Sequence, residues 1–206
     1  MKLKFLKAAF TSLIIISSSI ANAGIVNQWD VDFTALDDAG KFNVFYAQDT
    51  TAMSVDNDIL TLEKNSWYYL NLSDAIGENS LDFSNTRLSF DFMTSGTPEI
   101  GGVQTSNTNS HSINETFNLI GTQDWGIDSY SYSDINQWVH FDINLDEYLS
   151  GDFSRIMFIN DCDKCINSNT ASFKNMTITQ VPESSTIAIF ALGLLGLVSR
   201  KMKKKA

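Results

Sequence analysis

Two cysteines, two prolines and two histidines are all that the 206 residues hold of these types. A pair of cysteines cannot form the multi-bridge framework that staples small secreted folds. Two histidines leave little for a zinc centre. Charge is also scarce, at 18% of the chain, and the basic side is the poorer one: 14 Lys and Arg stand against 24 Asp and Glu, for a formal net charge of −10. A nucleic-acid binder needs a basic face for the phosphates, so that class is excluded. No internal repeat, long helical stripe, G-x-S-x-G elbow, H-E-x-x-H pair or phosphate-cradling glycine loop occurs. What the chain does have is apolar bulk. With 14 Phe, 6 Tyr and 4 Trp, and 43% hydrophobic residues overall, it can fill the core of one domain of ordinary size. Disordered chains lack such aromatic content.

The charge is segregated. Lys2, Lys4 and Lys7 lie in residues 1–23 without an acid, and Arg200, Lys201, Lys203, Lys204 and Lys205 lie in residues 182–206 beside only Glu183. Eight of the 14 bases and one of the 24 acids are thus terminal, leaving 6 bases and 23 acids between residues 24 and 181. Ends so unlike the middle have a different job.

The N-terminal end reads as a secretory signal peptide over 1–23. A basic start precedes an apolar run through Leu13, Ile14, Ile15 and Ile16, and Ala21-Asn22-Ala23 forms an A-x-A cleavage site ahead of Gly24. The C-terminal end, 181–206, orders three parts: Pro182-Glu183, an apolar stretch over 186–198, and the basic tip. At ~1.5 Å per helical residue that stretch is short for the ~20 residues a membrane span usually takes. The positive-inside rule keeps the basic tip cytoplasmic and the body outside.

This tail resembles the PEP-CTERM sorting signal. Pro182-Glu183 matches the first two residues of the Pro-Glu-Pro motif, while Ser184 stands where the second proline is usual. Ser185-Thr186 and Ala191-Leu192-Gly193-Leu194-Leu195-Gly196-Leu197 fit the follow-on. The resemblance implies an exosortase as partner, with cleavage near Pro182-Glu183 after a transient hold in the inner membrane. The body would then pass to the cell surface or extracellular matrix. The bland alternative is a short permanent anchor.

Between the ends the recurring period is two. Leu88-Ser89-Phe90-Asp91-Phe92 alternates apolar and polar residues, and Ile59–Leu62, Trp67–Leu72, Thr116–Ile120, Trp138–Ile143, Ile156–Ile159 and Ser172–Ile178 complete a set of short strands. Asn, Asp, Ser and Gly punctuate them. The pattern predicts an all-β fold, a single antiparallel β-sandwich over 24–180, with one helical turn at Leu145–Leu149. Several runs are similar to jelly-roll modules of the carbohydrate-binding kind found on secreted bacterial proteins. They include Asn57–Leu62, Glu99-Ile100-Gly101-Gly102, Gly121-Thr122-Gln123-Asp124-Trp125-Gly126 and Phe158-Ile159-Asn160-Asp161-Cys162-Asp163. Where such modules follow Glu-Ile-x-Gly with acids, this chain has Val103-Gln104-Thr105-Ser106-Asn107.

Three groups of residues carry chemistry. Trp125, with Gln123 and Asp124 beside it and Tyr130 and Tyr132 following at spacing two, offers flat faces and planar amides to a sugar ring. The competing reading is that these aromatics pack. Acid clusters at Asp56-Asn57-Asp58, Asp30 with Asp32, and Asn160-Asp161 with Asp163 suit calcium, with Asp161, Asp163, Asp56 and Asp58 as candidate ligands. The competing reading is a solvated acidic surface. Cys162-Asp163-Lys164-Cys165 lacks the following His of a haem site and the second pair of a zinc site. A local disulfide between Cys162 and Cys165, made outside the cytosol, fits best. His140 reads as a sheet residue and His111 as a loop residue, so no catalytic residue is assigned. The expectation is an exported, non-catalytic protein that associates with extracellular polysaccharide and requires no cofactor, with structural calcium as the open question. The alternatives are a matrix or adhesion protein that binds other proteins, and a glycan-active enzyme.

Overall fold

Phe90 and Phe92 alternate with Ser89 and Asp91 along one strand, and the two apolar rings are fully buried. That is the period-two signature of a strand with one face on a core. The computed structural model describes residues 27–47, 51–163 and 169–180. The strands are β1 (Asn27–Asp30), β2 (Asn43–Ala47), β3 (Met53–Asp56), β4 (Ile59–Glu63), β5 (Ser66–Asn71), β6 (Leu81–Asp82) and β7 (Thr86–Thr94). They continue with β8 (Ile100–Ser106), β9 (Thr116–Ile120), β10 (Val139–Asn144), β11 (Asp152–Phe153), β12 (Arg155–Asp161) and β13 (Thr170–Gln180). Two short helices, α1 (Phe33–Asp38) and α2 (Leu72–Ala75), and a 3-10 turn at Leu145–Glu147 connect them. Among the described residues no helix is long and apolar enough to cross a membrane.

Two antiparallel sheets face each other. The first runs β10-β7-β13-β4-β3, with β1 paired to β13, and the second runs β2-β5-β12-β8-β9. The connections β4–β5, β9–β10 and β12–β13 cross between sheets, as in a jelly-roll sandwich. Aromatic side chains join the sheets. Phe158 of β12 meets Phe173 of β13 edge-on at 5.1 Å, and Phe33 of α1 meets Phe158 at 5.5 Å. Each such ring contributes roughly 1.5–3 kcal/mol through burial. The expected all-β sandwich is therefore what the body forms. The expected cleavage segment (Ala21, Ala23, Gly24), the sorting segment (Pro182, Glu183) and Cys165 lie outside the described residues.

One helix was not expected. α1 is a single amphipathic turn and a half whose Phe33 and Leu36 are buried. Asp32 Oδ1 accepts the Ala35 amide at 2.8 Å, an N-cap bond. Asp58 Oδ1 accepts the Phe33 amide at 2.7 Å and the Thr34 amide at 3.4 Å. Asp58 shares with Asn57 a two-residue hairpin turn between β3 and β4, where Asp56 pairs with Ile59 and both turn residues have positive φ (50° and 61°). That is the type I′ geometry a right-handed hairpin favours. Asp56 and Asp58 are thus turn and cap residues. Of the residues expected to ligate calcium, Asp58 accepts amide donors through Oδ1 and Asp56 accepts from the Asn57 side chain.

Candidate functional site

The sandwich presents two unlike outer faces. On the first sheet the outward positions are polar. His140 and Asp91 lie 2.8 Å apart, Asn175 Nδ2 donates to Asp91 at 2.7 Å, and Arg87 bonds Asp142 at 3.1 Å and Asn144 at 2.9 Å. Trp138, half-buried, has the Lys174 ammonium 4.2 Å over its ring.

This face holds a serine, a histidine and an aspartate in sequence-distant contact. A carboxylate only accepts, so His140 Nδ1 donates to Asp91, and Ser89 Oγ lies 3.2 Å from Nε2. The relay matches a nucleophile, base and orienting acid. Its own strand does not supply the other half of such a site. Ser89 stands outward from β7, which runs between β10 and β13, so the strand's amides point sideways into the ladders. None is aimed above the face, where an oxyanion on Ser89 would form. The expectation that His140 is a sheet residue agrees with this geometry.

The outer face of the second sheet carries an apolar cluster. Trp67 of β5, Met157 and Ile159 of β12 and Ile100 of β8 form a buried cluster there, separate from the core between the sheets. Phe45, Tyr69 and Trp125 pack against it partly exposed. His111 lies tilted against Trp67 with ring centroids 4.3 Å apart and meets Phe45 edge-on at 4.7 Å. The Arg155 guanidinium lies 5.1 Å over Tyr69. Burial pushes the His111 imidazole below the usual histidine range.

Two outward amides hold the loops that border this face. Gln104 of β8 is fully buried. Its Oε1 accepts from the Ser112 amide (3.1 Å) and Thr116 Oγ1 (2.9 Å), and its Nε2 donates to the Ser110 carbonyl (2.9 Å). It thereby fixes the loop that carries His111. Asn118 of β9 donates through Nδ2 to the Gln123 carbonyl at 3.3 Å, holding the loop that carries Trp125. That loop is also pinned by the Thr122 amide to the Pro98 carbonyl and by the Gln123 amide to the Glu99 carbonyl, both at 3.1 Å. Gly126 takes φ +91°, and a Cβ there would lie 2.6 Å from the Thr116 carbonyl. Glycine lets the chain close onto β9, where the Ile127 amide donates to that carbonyl at 2.7 Å.

The expected sugar-binding residues divide. Trp125 reaches the apolar outer face, and Gln123 and Asp124 are exposed on its loop. Tyr130 and Tyr132 do not share that face. Tyr130 packs against Phe117 and Tyr148 at the main core, and burial pushes its phenol up to about 12. Tyr132 is buried, and its hydroxyl donates toward the carbonyls of Asp134 and Gln137. Their spacing of two set them on one strand side in the sequence. The segment instead turns inward at Ile127, whose bridge to Phe117 is parallel. Sequence reasoning did not find Phe45, Tyr69 or His111, because they reach the face from three separate segments.

Glu99, Asp161 and Asp163 converge at one end of this face, with one oxygen of each within 4.8 Å of the others. The Asp163 amide donates to Glu99 Oε2 at 3.0 Å, and the Glu99 amide donates to the Asp161 carbonyl at 2.7 Å. Burial, then the charges of Asp163 and Glu99, push the Asp161 carboxyl up to about 6. Asp161 and Asp163 stand where calcium was expected, and Glu99 joins them from the Glu-Ile-Gly-Gly run. Between the two aspartates, Cys162 is disulfide-bonded, and Cys165 is the one other cysteine in the chain.

No known family model matches the chain, and no curated protein does. Among solved structures it is similar to a low-affinity xylan-binding module from the gut symbiont Roseburia intestinalis, at 14% identity over 76% of this chain and 95% of that one, with a TM-score of 0.37. It is similar also to a family 30 carbohydrate-binding module of a cellulosomal cellulase from Clostridium thermocellum, at 16% identity, 75% and 92% coverage and a TM-score of 0.34. A third, from Parabacteroides distasonis and described as a candidate glycosyl hydrolase, has 11% identity, 74% and 98% coverage and a TM-score of 0.42. Likeness this distant carries no argument about function, which has to come from the side chains.

Proposed function

We propose that the body is a non-catalytic module that holds extracellular polysaccharide against the outer face of its second sheet, with Trp125 as the principal stacking residue. The observation that carries this reading is the apolar, aromatic cluster turned away from the core. The side of a sandwich sheet turned away from the core normally alternates to polar residues, as the first sheet does; on the second sheet that side is apolar and covered, so only its half-buried rim is open to a ligand. Here Trp67, Met157 and Ile159 take those positions, and Trp125, Tyr69 and Phe45 rim them half-buried. Pyranose rings carry C–H patches that stack on such rims, and the exposed Gln123 and Asp124 supply hydrogen bonds to the hydroxyls. The relay of Ser89, His140 and Asp91 lies on the other sheet, and the amides of the strand that carries Ser89 are taken up in its two ladders, which favours binding over hydrolysis.

Around this body we propose the life history that the two ends indicate. A leader over 1–23 is removed before Gly24, and the tail over 181–206 is handed to an exosortase near Pro182-Glu183. The body ends at the cell surface or in the extracellular matrix. Removal of 181–206 is expected to release folded body into the medium, and loss of the folded body would overturn this division.

Affinity gel electrophoresis against a panel of neutral and acidic polysaccharides tests the binding. Retarded mobility on at least one polymer, relieved in Trp125→Ala, is the expected result. Unchanged mobility on every polymer overturns it, and release of reducing ends would make the protein an enzyme.

A further inference from the structure

Three carboxylates crowd one end of the apolar outer face, and among the described residues none of them forms an ion pair with a lysine or arginine. Crowding like charges is unfavourable, and the hydrogen bonds present offset only part of it. Two of the acids, Asp161 and Asp163, flank a disulfide-bonded cysteine, and Glu99 approaches from the start of β8, where Ile100 is the cross-strand partner of Asp161.

A fourth group points the same way. Asn65, at the turn into β5, is only 2% exposed. Its Nδ2 donates to Asp163 Oδ1, so its amide plane abuts the cluster. Its Oδ1, on the same small planar group, is buried and has no donor to accept from. A carbonyl oxygen buried without a partner is unfavourable. A cation held beside Asp163 would give that oxygen a partner. Asn160 Oδ1 is buried and unpartnered as well, but Asn160 alternates to the opposite side of β12 from Asp161 and is left out of the set.

We propose that Glu99, Asp161, Asp163 and the Asn65 amide oxygen form a divalent-cation site of the calcium type. The donors are all oxygens, three of them carboxylates, which is the hard set calcium prefers. The site braces the glycan face from one end. The Gln123 amide bonds the Glu99 carbonyl, so the loop bearing Trp125 hangs from a ligand residue. A bound ion fixes Glu99 and, through it, the register of that loop. The proposal does not rest on glycan binding, because the ion is measured with no polysaccharide present.

The full chain, stripped with a chelator and dialysed, is titrated with calcium chloride by calorimetry and followed by thermal melting. Binding of one ion per chain with a higher Tm is expected. Both responses should fall at least tenfold in Glu99→Gln, Asp161→Asn and Asp163→Asn and persist in Asp56→Asn. Neutralising Asp161 relieves repulsion, so that variant should melt higher than the wild type without calcium yet gain nothing from it. Asn65→Ala, which keeps all three carboxylates, should bind more weakly. Absence of a calcium response in the wild type, or a response that survives Glu99→Gln with Asp161→Asn, overturns the proposal. Magnesium serves as the contrast ion, and its preference over calcium would overturn the assigned class.

Discussion

His111 lies on the Trp67 ring with centroids 4.3 Å apart, closing one side of the second sheet's outer cluster. Burial disfavours its charged form and holds its pKa below the usual value of about 6.5. The unfolded imidazole therefore takes up its proton first as pH falls. The stabilising contribution of neutral His111 is present in full above about pH 6.5 and is lost as pH falls toward the folded value. NMR titration should find His111 protonating below a free histidine. The drop in Tm between about pH 7.5 and about pH 5 should be smaller in His111→Gln than in the wild type. An equal drop in both would disprove the linkage.

Trp125 is half-buried at the rim, whereas Trp67 is buried beneath it. Trp125→Ala should weaken polysaccharide binding about tenfold or more, corresponding to at least ~1.4 kcal/mol, while leaving the far-ultraviolet circular dichroism unchanged. Tyr132→Phe should do the reverse. It removes a hydroxyl bonded within the fold and lowers Tm without altering glycan affinity.

Phe158 touches Phe33 and Phe173 and so ties α1 and both sheets together. Phe158→Ala should destabilise the body by about 3–5 kcal/mol, measured as a shift in the denaturant midpoint at constant m-value.

Ser89 should behave as an ordinary serine in spite of its histidine. A fluorophosphonate probe is expected to leave it unlabelled, and Ser89→Ala should retain full polysaccharide binding. Stoichiometric labelling lost in His140→Ala would show that the relay is catalytic.

Reduction of the disulfide at Cys162 should cost about 2 kcal/mol or less, because a short loop removes little entropy from the unfolded chain. The check is a pair of melts with and without reductant, with Cys162→Ser as the control.

The strands with clean alternation were legible in the sequence. Thr116–Ile120 is β9 as expected, and Leu88–Phe92 lies within β7. β8, Ile-Gly-Gly-Val-Gln-Thr-Ser, gave no such signal, because every residue in it is buried and two are glycines. A central strand covered on both sides loses the polar half of its pattern. α1 escaped notice because six residues are too few to show a helical period, although Asp32 ahead of it was a readable cap. The Trp125 loop was visible as glycines around an indole. The acid cluster was only half visible: Asp161 and Asp163 stand together, but Glu99 and Asn65 arrive from the bends ahead of β8 and β5, whose neighbours only the sheet order reveals.

On the proposed function, the two unlike outer surfaces would make the body a one-sided adhesive. Laid on a fibre by its second sheet, it would turn toward the surroundings a mostly hydrated lattice of His140, Asp91, Arg87 and Asp142, with the one indole there, Trp138, lying under the Lys174 ammonium. Uptake onto a polymer film should therefore stop at a monolayer, with mass per area levelling off instead of climbing as concentration rises.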